Sequence, residues 1–137
     1  MTQECTSRFC LQCDDGTELA HEARDLKTVI DGLPFTVAAV SGWHCPVCGE
    51  VEFDAGEGAR FSAALTEARG QVTERKARVI REIRRQLKLT QAEAGLIFGG
   101  GASAFSEYER GRTQPHKSTW ALMRILGKHP ELLNELR

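Results

Sequence analysis

Two short cysteine pairs, FCLQC at residues 9–13 and WHCPVCG at residues 43–49, restrict this chain more than any other feature. They place Cys10-x2-Cys13 and Cys45-x2-Cys48 with 31 residues between Cys13 and Cys45. Each C-x2-C loop turns tightly enough to aim two thiolates at one ion. Two such loops complete a tetrahedral four-sulfur set, the geometry preferred by structural zinc. Gly49, directly after the second pair, supplies a permissive backbone that lets amides point at the sulfurs. The spacing therefore predicts one structural Zn2+ per chain on Cys10, Cys13, Cys45 and Cys48, with iron or redox thiols as the other uses of such a set. Four cysteines saturate the ion, which leaves Cys5 as a free thiol and His44 as a surface imidazole. A closed four-cysteine site has no open position for water, so no catalytic residues are expected and the protein is not read as an enzyme.

All five cysteines fall in the first 48 of 137 residues, which separates the chain into two parts. Charge follows the same division. Residues 1–70 carry 12 acids and 5 bases, a net −7, whereas residues 71–137 carry 7 acids and 13 bases, a net +6. A positive half suits a polyanion, and an acidic half attracts a basic protein. The opening MTQECTSRFC has no apolar run after a basic stretch, and no 18-residue uncharged apolar segment occurs anywhere. A reducing cytoplasm is expected, with no membrane association, where paired thiols more often hold metal than form disulfides.

In the first part, Thr28-Val-Ile, the turn signal Asp31-Gly32 and the run Pro34 to Val40 predict short hairpin strands, with Val51-Glu-Phe53 closing a small sheet. Residues 18–24 are ambiguous between strand and helix. From Asp54 to Arg69 the pattern turns helical, and Phe61, Ala64, Leu65 and Ala68 make one apolar stripe, read as core. Core residues are few here, so metal binding, on the order of 10 kcal/mol in zinc-finger peptides, is expected to drive folding.

Gly70-Gln71 predicts a helix break, and residues 70–76 a linker between a domain at 1–69 and another at 77–137. A helix over 77–87 buries Val79, Ile80, Ile83 and Leu87, with Arg78, Arg81, Arg84 and Arg85 on its other face. Thr90-x-x-Glu93 is a capping box opening a helix that ends near Phe98. Gly99 to Gly101 allow a left-handed turn, and Ala102 to Arg110 form the next helix, stopped by Gly111. Phe105 and Tyr108 face inward, while Ala102, Ser103, Ser106, Glu107 and Arg110 share the outer face. This is a helix-turn-helix whose second helix enters the major groove, with Gln91, Arg84 and Arg85 on phosphates. Helices at Thr119 to Leu126, stopped by Gly127, and Pro130 to Leu136 complete five. Their apolar residues are read as core, with a dimer interface as the competing use. The fold class is α+β: a small zinc-bound β-hairpin domain with one helix, then an all-α five-helix domain.

The paired cysteines in front and LTQAEAGLIFGGGASAFSEYERGRTQPHKSTWALMRILGKHPELLNELR behind resemble the MqsA (YgiT-type) antitoxins over nearly the whole length. IFGGG, TQPH and KHPELLNELR make the resemblance specific. It implies an XRE/Cro-like DNA-binding domain that dimerises, an N-terminal zinc domain that neutralises a partner RNase toxin, and repression of the chain's own operon through operator DNA. The metal ligands carry over residue by residue as Cys10, Cys13, Cys45 and Cys48. The family has Asn and Arg where this chain has Ser103 and Glu107, so the family's operator sequence does not carry over. Glutamate accepts hydrogen bonds and suits the amino group of cytosine; pairing with Arg110 is its other use. The alternative function is a stand-alone zinc- or redox-responsive regulator, to which only Cys5 points. No toxin-facing residue is assigned.

Overall fold

A computed structural model describes residues 6–137; Cys5 lies outside the described residues. The chain divides into two compact units, Met1–Arg69 and Gly70–Arg137.

In the first unit, β1 (Ala20–Ile30) and β2 (Leu33–His44) form a long antiparallel hairpin. β3 (Val51–Phe53) pairs antiparallel with the end of β2, giving the order β1-β2-β3. Asp31 and Gly32 join the first two strands with φ of 49° and 78°. Positive φ at both positions gives a turn whose twist matches the strands it joins. The hairpin extends further than expected, because the ambiguous stretch from Ala20 to Arg24 pairs with Val40 to His44. A bulge interrupts it: Arg24 pairs with Val40 and Leu26 with Val37, so Ala38 and Ala39 together stand opposite Asp25. The Ala39 N–H donates to Asp25 Oδ1 at 2.9 Å. Three residues apart on a regular strand, Val37 and Val40 would point to opposite faces; with the bulge, both are buried.

α1 (Glu57–Gln86) starts in this unit, where Arg60 donates to the bulge carbonyls of Ala38 and Ala39 and Phe61 packs on Phe53, ring centroids 5.5 Å apart. The expected stripe is present, with Phe61, Ala64 and Leu65 half-buried and Ala68 buried. The expected break at Gly70-Gln71 is absent. Residues 70–76 are helical, and the boundary between the units falls inside α1. One interior glycine costs a helix only about 1 kcal/mol relative to alanine, and burial of Ala68 before it and Ala77 after it anchors both flanks.

In the second unit, α2 (Gln91–Phe98), α3 (Ala104–Glu109), α4 (Lys117–Lys128) and a 3-10 helix (Pro130–Leu136) join the C-terminal part of α1 in the expected five-helix arrangement. Ile80 and Ile83 of α1 and Leu87 just after it meet Phe98, Phe105, Met123 and Leu126 in one core. Gly127 does not stop α4, which continues to Lys128. Its missing side chain serves packing instead, since a Cβ there would lie 3.1 Å from Ile83 Cγ1.

Candidate metal centre and nucleic-acid interface

The two knuckles are built by local backbone bonds. Cys10 N–H donates to Thr17 O at 2.8 Å, Asp14 N–H to Cys10 O at 3.1 Å, and Cys45 N–H to Glu50 O at 2.9 Å. Gly49, at φ 79°, makes the second turn possible. The Sγ atoms of Cys10, Cys13, Cys45 and Cys48 all lie within 4.8 Å of one another. Cys10 and Cys48 sulfurs are 3.5 Å apart, and those of Cys13 and Cys45 are 3.8 Å apart. Zinc–sulfur bonds of about 2.3 Å in a tetrahedron require sulfur separations of about 3.8 Å, so the set fits a four-coordinate soft ion. Amide N–H groups already face the sulfurs: Cys13 N–H points at Cys10 Sγ, and those of Val47 and Cys48 at Cys45 Sγ, at 3.4–3.5 Å. The Cys48 and Val47 amides outweigh burial and pull the Cys45 thiol down to about 6. Burial pushes Cys13 up to about 12, helped by hydrogen bonds with its neighbouring thiols. Four thiolates this close hold their charge together only around a cation.

These sulfurs are also the centre of a small core, in which Cys10, Leu19 and Cys45 are buried with Cys13 and Trp43 packed against them. His44 is not the surface imidazole expected. It is 2% exposed and donates from Nε2 to Val40 O at 3.0 Å. The alternation of β2 puts residues 40, 42 and 44 on the buried face, so register rather than chemistry decides its place.

In the helical unit the capping box forms as expected: Thr90 Oγ1 accepts from Glu93 N–H, and Glu93 Oε2 accepts from Thr90 N–H. Gly99, Gly100 and Gly101 all adopt positive φ in the turn between α2 and α3. Gly95 is what lets this turn close, since a Cβ there would lie 1.9 Å from Gly101 O.

The polar centre of the unit is a residue the periodicity did not single out. Glu109, its side chain 1% exposed, receives Arg84 Nε on Oε1, with Arg84 Nη2 on Oε2 at 3.1 Å. Gln91 Nε2 donates to Oε2 at 3.0 Å, and Arg81 Nε stands 3.5 Å away. Burial pushes the Glu109 carboxyl up, but the hydrogen bonds and charges of Arg84, Gln91 and Arg81 outweigh it and hold it below the usual range. Arg84 also donates from Nη1 to Leu89 O at 2.9 Å.

The expected DNA contacts therefore separate. Arg84, only 13% exposed, has its guanidinium engaged by Glu109 and the Leu89 carbonyl, and the Gln91 side chain is engaged with Glu109. Arg85 is exposed. Ala102 and Ser103 are exposed in the turn before α3, which is shorter than expected, while Ser106 and Glu107 are half-buried on it. Glu107 pairs with Arg112, not Arg110. Arg110 instead lines an open groove of about 660 Å3 with Arg78, Arg81 and Glu109.

No helix among the described residues is long and apolar enough to cross a membrane. The profile of the MqsA antitoxin family, described as the antitoxin component of a bacterial toxin-antitoxin system, matches residues 8–137. A protein of Escherichia coli (strain K12) named Antitoxin MqsA is 39% identical over 130 residues, covering 93% of this chain and 98% of its own length.

Proposed function

The chain belongs to the MqsA antitoxin family, and on that premise we propose that it neutralises a cognate RNase toxin with residues 1–69 and represses its own operon with residues 77–137, bound to operator DNA as a dimer. One observation carries the reading: the match spans a four-cysteine cluster and a capped helix-turn-helix in a single chain. The charge of each unit supports the division of labour. A net −7 on the cysteine unit attracts a cationic RNA-cleaving partner, and a net +6 on the helical unit attracts phosphate. Cys10, Cys13, Cys45 and Cys48 would hold one Zn2+ whose chemistry is structural: it fixes the two knuckles and keeps the thiolates ionised. Arg85, Arg78 and Arg110 supply phosphate contacts, and the residues before and along α3, exposed Ala102 and Ser103 and half-buried Ser106 and Glu107, meet base edges. The apolar side chains Ile125, Leu132 and Leu136, exposed in the single chain, supply surface for the dimer.

The test is co-expression with the product of the adjacent gene. Relief of growth arrest by the full chain, with a stable complex on size exclusion and retardation of the operon's own promoter fragment, is expected. Failure of rescue and of complex formation would overturn the antitoxin role. Loss of promoter binding on oxidant or chelator, with no toxin recovered, would favour the stand-alone regulator.

A further inference from the structure

We infer from the C-terminal end of α3 that Arg112 is a base-reading residue, positioned by Glu107, and that the two together recognise a G·C base pair. The inference rests on the DNA-binding reading above. α3 closes in a turn of the Schellman type: Gly111 N–H donates to Tyr108 O and Arg112 N–H to Glu107 O, each at 3.1 Å, with Gly111 at φ 72°. This turn brings the side chains of its first and last residues together, usually as an apolar contact. Here those residues are Glu107 and Arg112, and Arg112 Nη1 lies 3.8 Å from Glu107 Oε1.

Both side chains remain in solvent, Arg112 65% and Glu107 37% exposed. An ion pair so exposed contributes little to stability, unlike the buried Glu109 clamp two residues along the same helix. Its consequence is for recognition. A lone carboxylate on this helix would repel the DNA backbone; Arg112 neutralises it and brings a guanidinium to the same place. The guanidinium has five N–H donors, most of them free of Glu107, and the carboxylate keeps accepting capacity. In the major groove, guanine presents O6 and N7 as acceptors and its partner cytosine presents the N4 amino donor. Arg112 thus donates to guanine while Glu107 accepts from cytosine. An A·T pair also offers a donor at adenine N6, but that donor separates its acceptors, adenine N7 and thymine O4, so it lacks the adjacent acceptor pair that the guanidinium fork takes on guanine. Arg110, which lines the groove with Arg78 and Arg81, is left for phosphate.

Fluorescence anisotropy on the operon's promoter duplex, a scrambled duplex, and duplexes carrying one base-pair exchange each tests this at several salt concentrations. Exchange of one G·C pair is expected to weaken the wild-type protein about tenfold or more. Arg112→Lys, which keeps the charge but loses the planar fork, should abolish that penalty and leave scrambled-duplex binding within about twofold. Glu107→Gln should shrink the penalty without removing it. Retention of the full penalty in Arg112→Lys would overturn the inference. So would an equal loss on both duplexes in Arg112→Gln with a salt slope lower by about 0.9, the mark of a phosphate contact. A wild-type protein that binds no duplex would overturn the DNA-binding reading itself.

Discussion

Removing the carboxylate of Glu109 leaves Arg84, only 13% exposed, as a charge without its partner inside the helical unit. Breaking one side of a buried ion pair costs about 3–5 kcal/mol, whereas replacing both sides with apolar groups is often near neutral. Glu109→Gln is therefore expected to lower the unfolding free energy of residues 70–137 by about 3 kcal/mol, read by urea titration of the far-ultraviolet circular dichroism. The double variant Arg84→Met with Glu109→Leu should recover most of that loss. The same carboxyl sets a pH dependence. Its folded value lies below its ordinary 4.5, so its contribution is fully present above the unfolded value and disappears as pH falls through the folded one. Glu109→Gln should lack that acid limb; an unchanged limb would assign it to other carboxylates. Glu109 was legible in principle, since positions 105, 108 and 109 share one face of a helix and the other two are inward aromatics. A charged residue at an inward position reads as surface until its partner is known, and Arg84 lies 25 residues away.

At the level of elements, backbone chemistry in the sequence foretold the turns better than the ends of helices. Asp31-Gly32, the capping box and Gly111 all stand where their local preferences put them. Gly70 and Gly127 do not act as breakers, because flanking burial outweighs a propensity cost of about 1 kcal/mol. Gly70 has no atom within 4 Å of where a Cβ would sit and no left-handed φ. Gly70→Ala is thus expected to stabilise the protein by about 1 kcal/mol, measured by thermal unfolding; destabilisation would mean that residues 70–76 are a strained turn. Gly95 is the opposite case. Thr90→Ala should cost about 1 kcal/mol through the lost cap. Gly95→Ala should cost about 3 kcal/mol or more, because the Gly101 carbonyl occupies the space a Cβ needs. Equal melting temperatures for the two variants would contradict that close approach.

Across the chain, the four-sulfur cluster and the helical core lie in different compact units. Chelation is expected to raise amide hydrogen exchange throughout β1, β2 and β3, where the cluster stands in for a large apolar core, while α2, α3 and α4 stay protected. Simultaneous loss of protection in both units would show that their stabilities are coupled. The amino-acid sequence on its own was enough for the cysteine set, the hairpin turn, the capped helix-turn-helix and the division of charge, because each depends on residue types at short fixed spacings. Folding in three dimensions settled which charged and polar side chains are free. Arg84 was drawn into the helical unit by Glu109, Gln91 was tied to the same carboxylate, Glu107 was turned toward Arg112, and His44 was buried by strand register. Those outcomes depend on pairings between segments far apart in the chain, on the turn that closes α3 or on strand register, and hydrophobic periodicity carries no information about any of them.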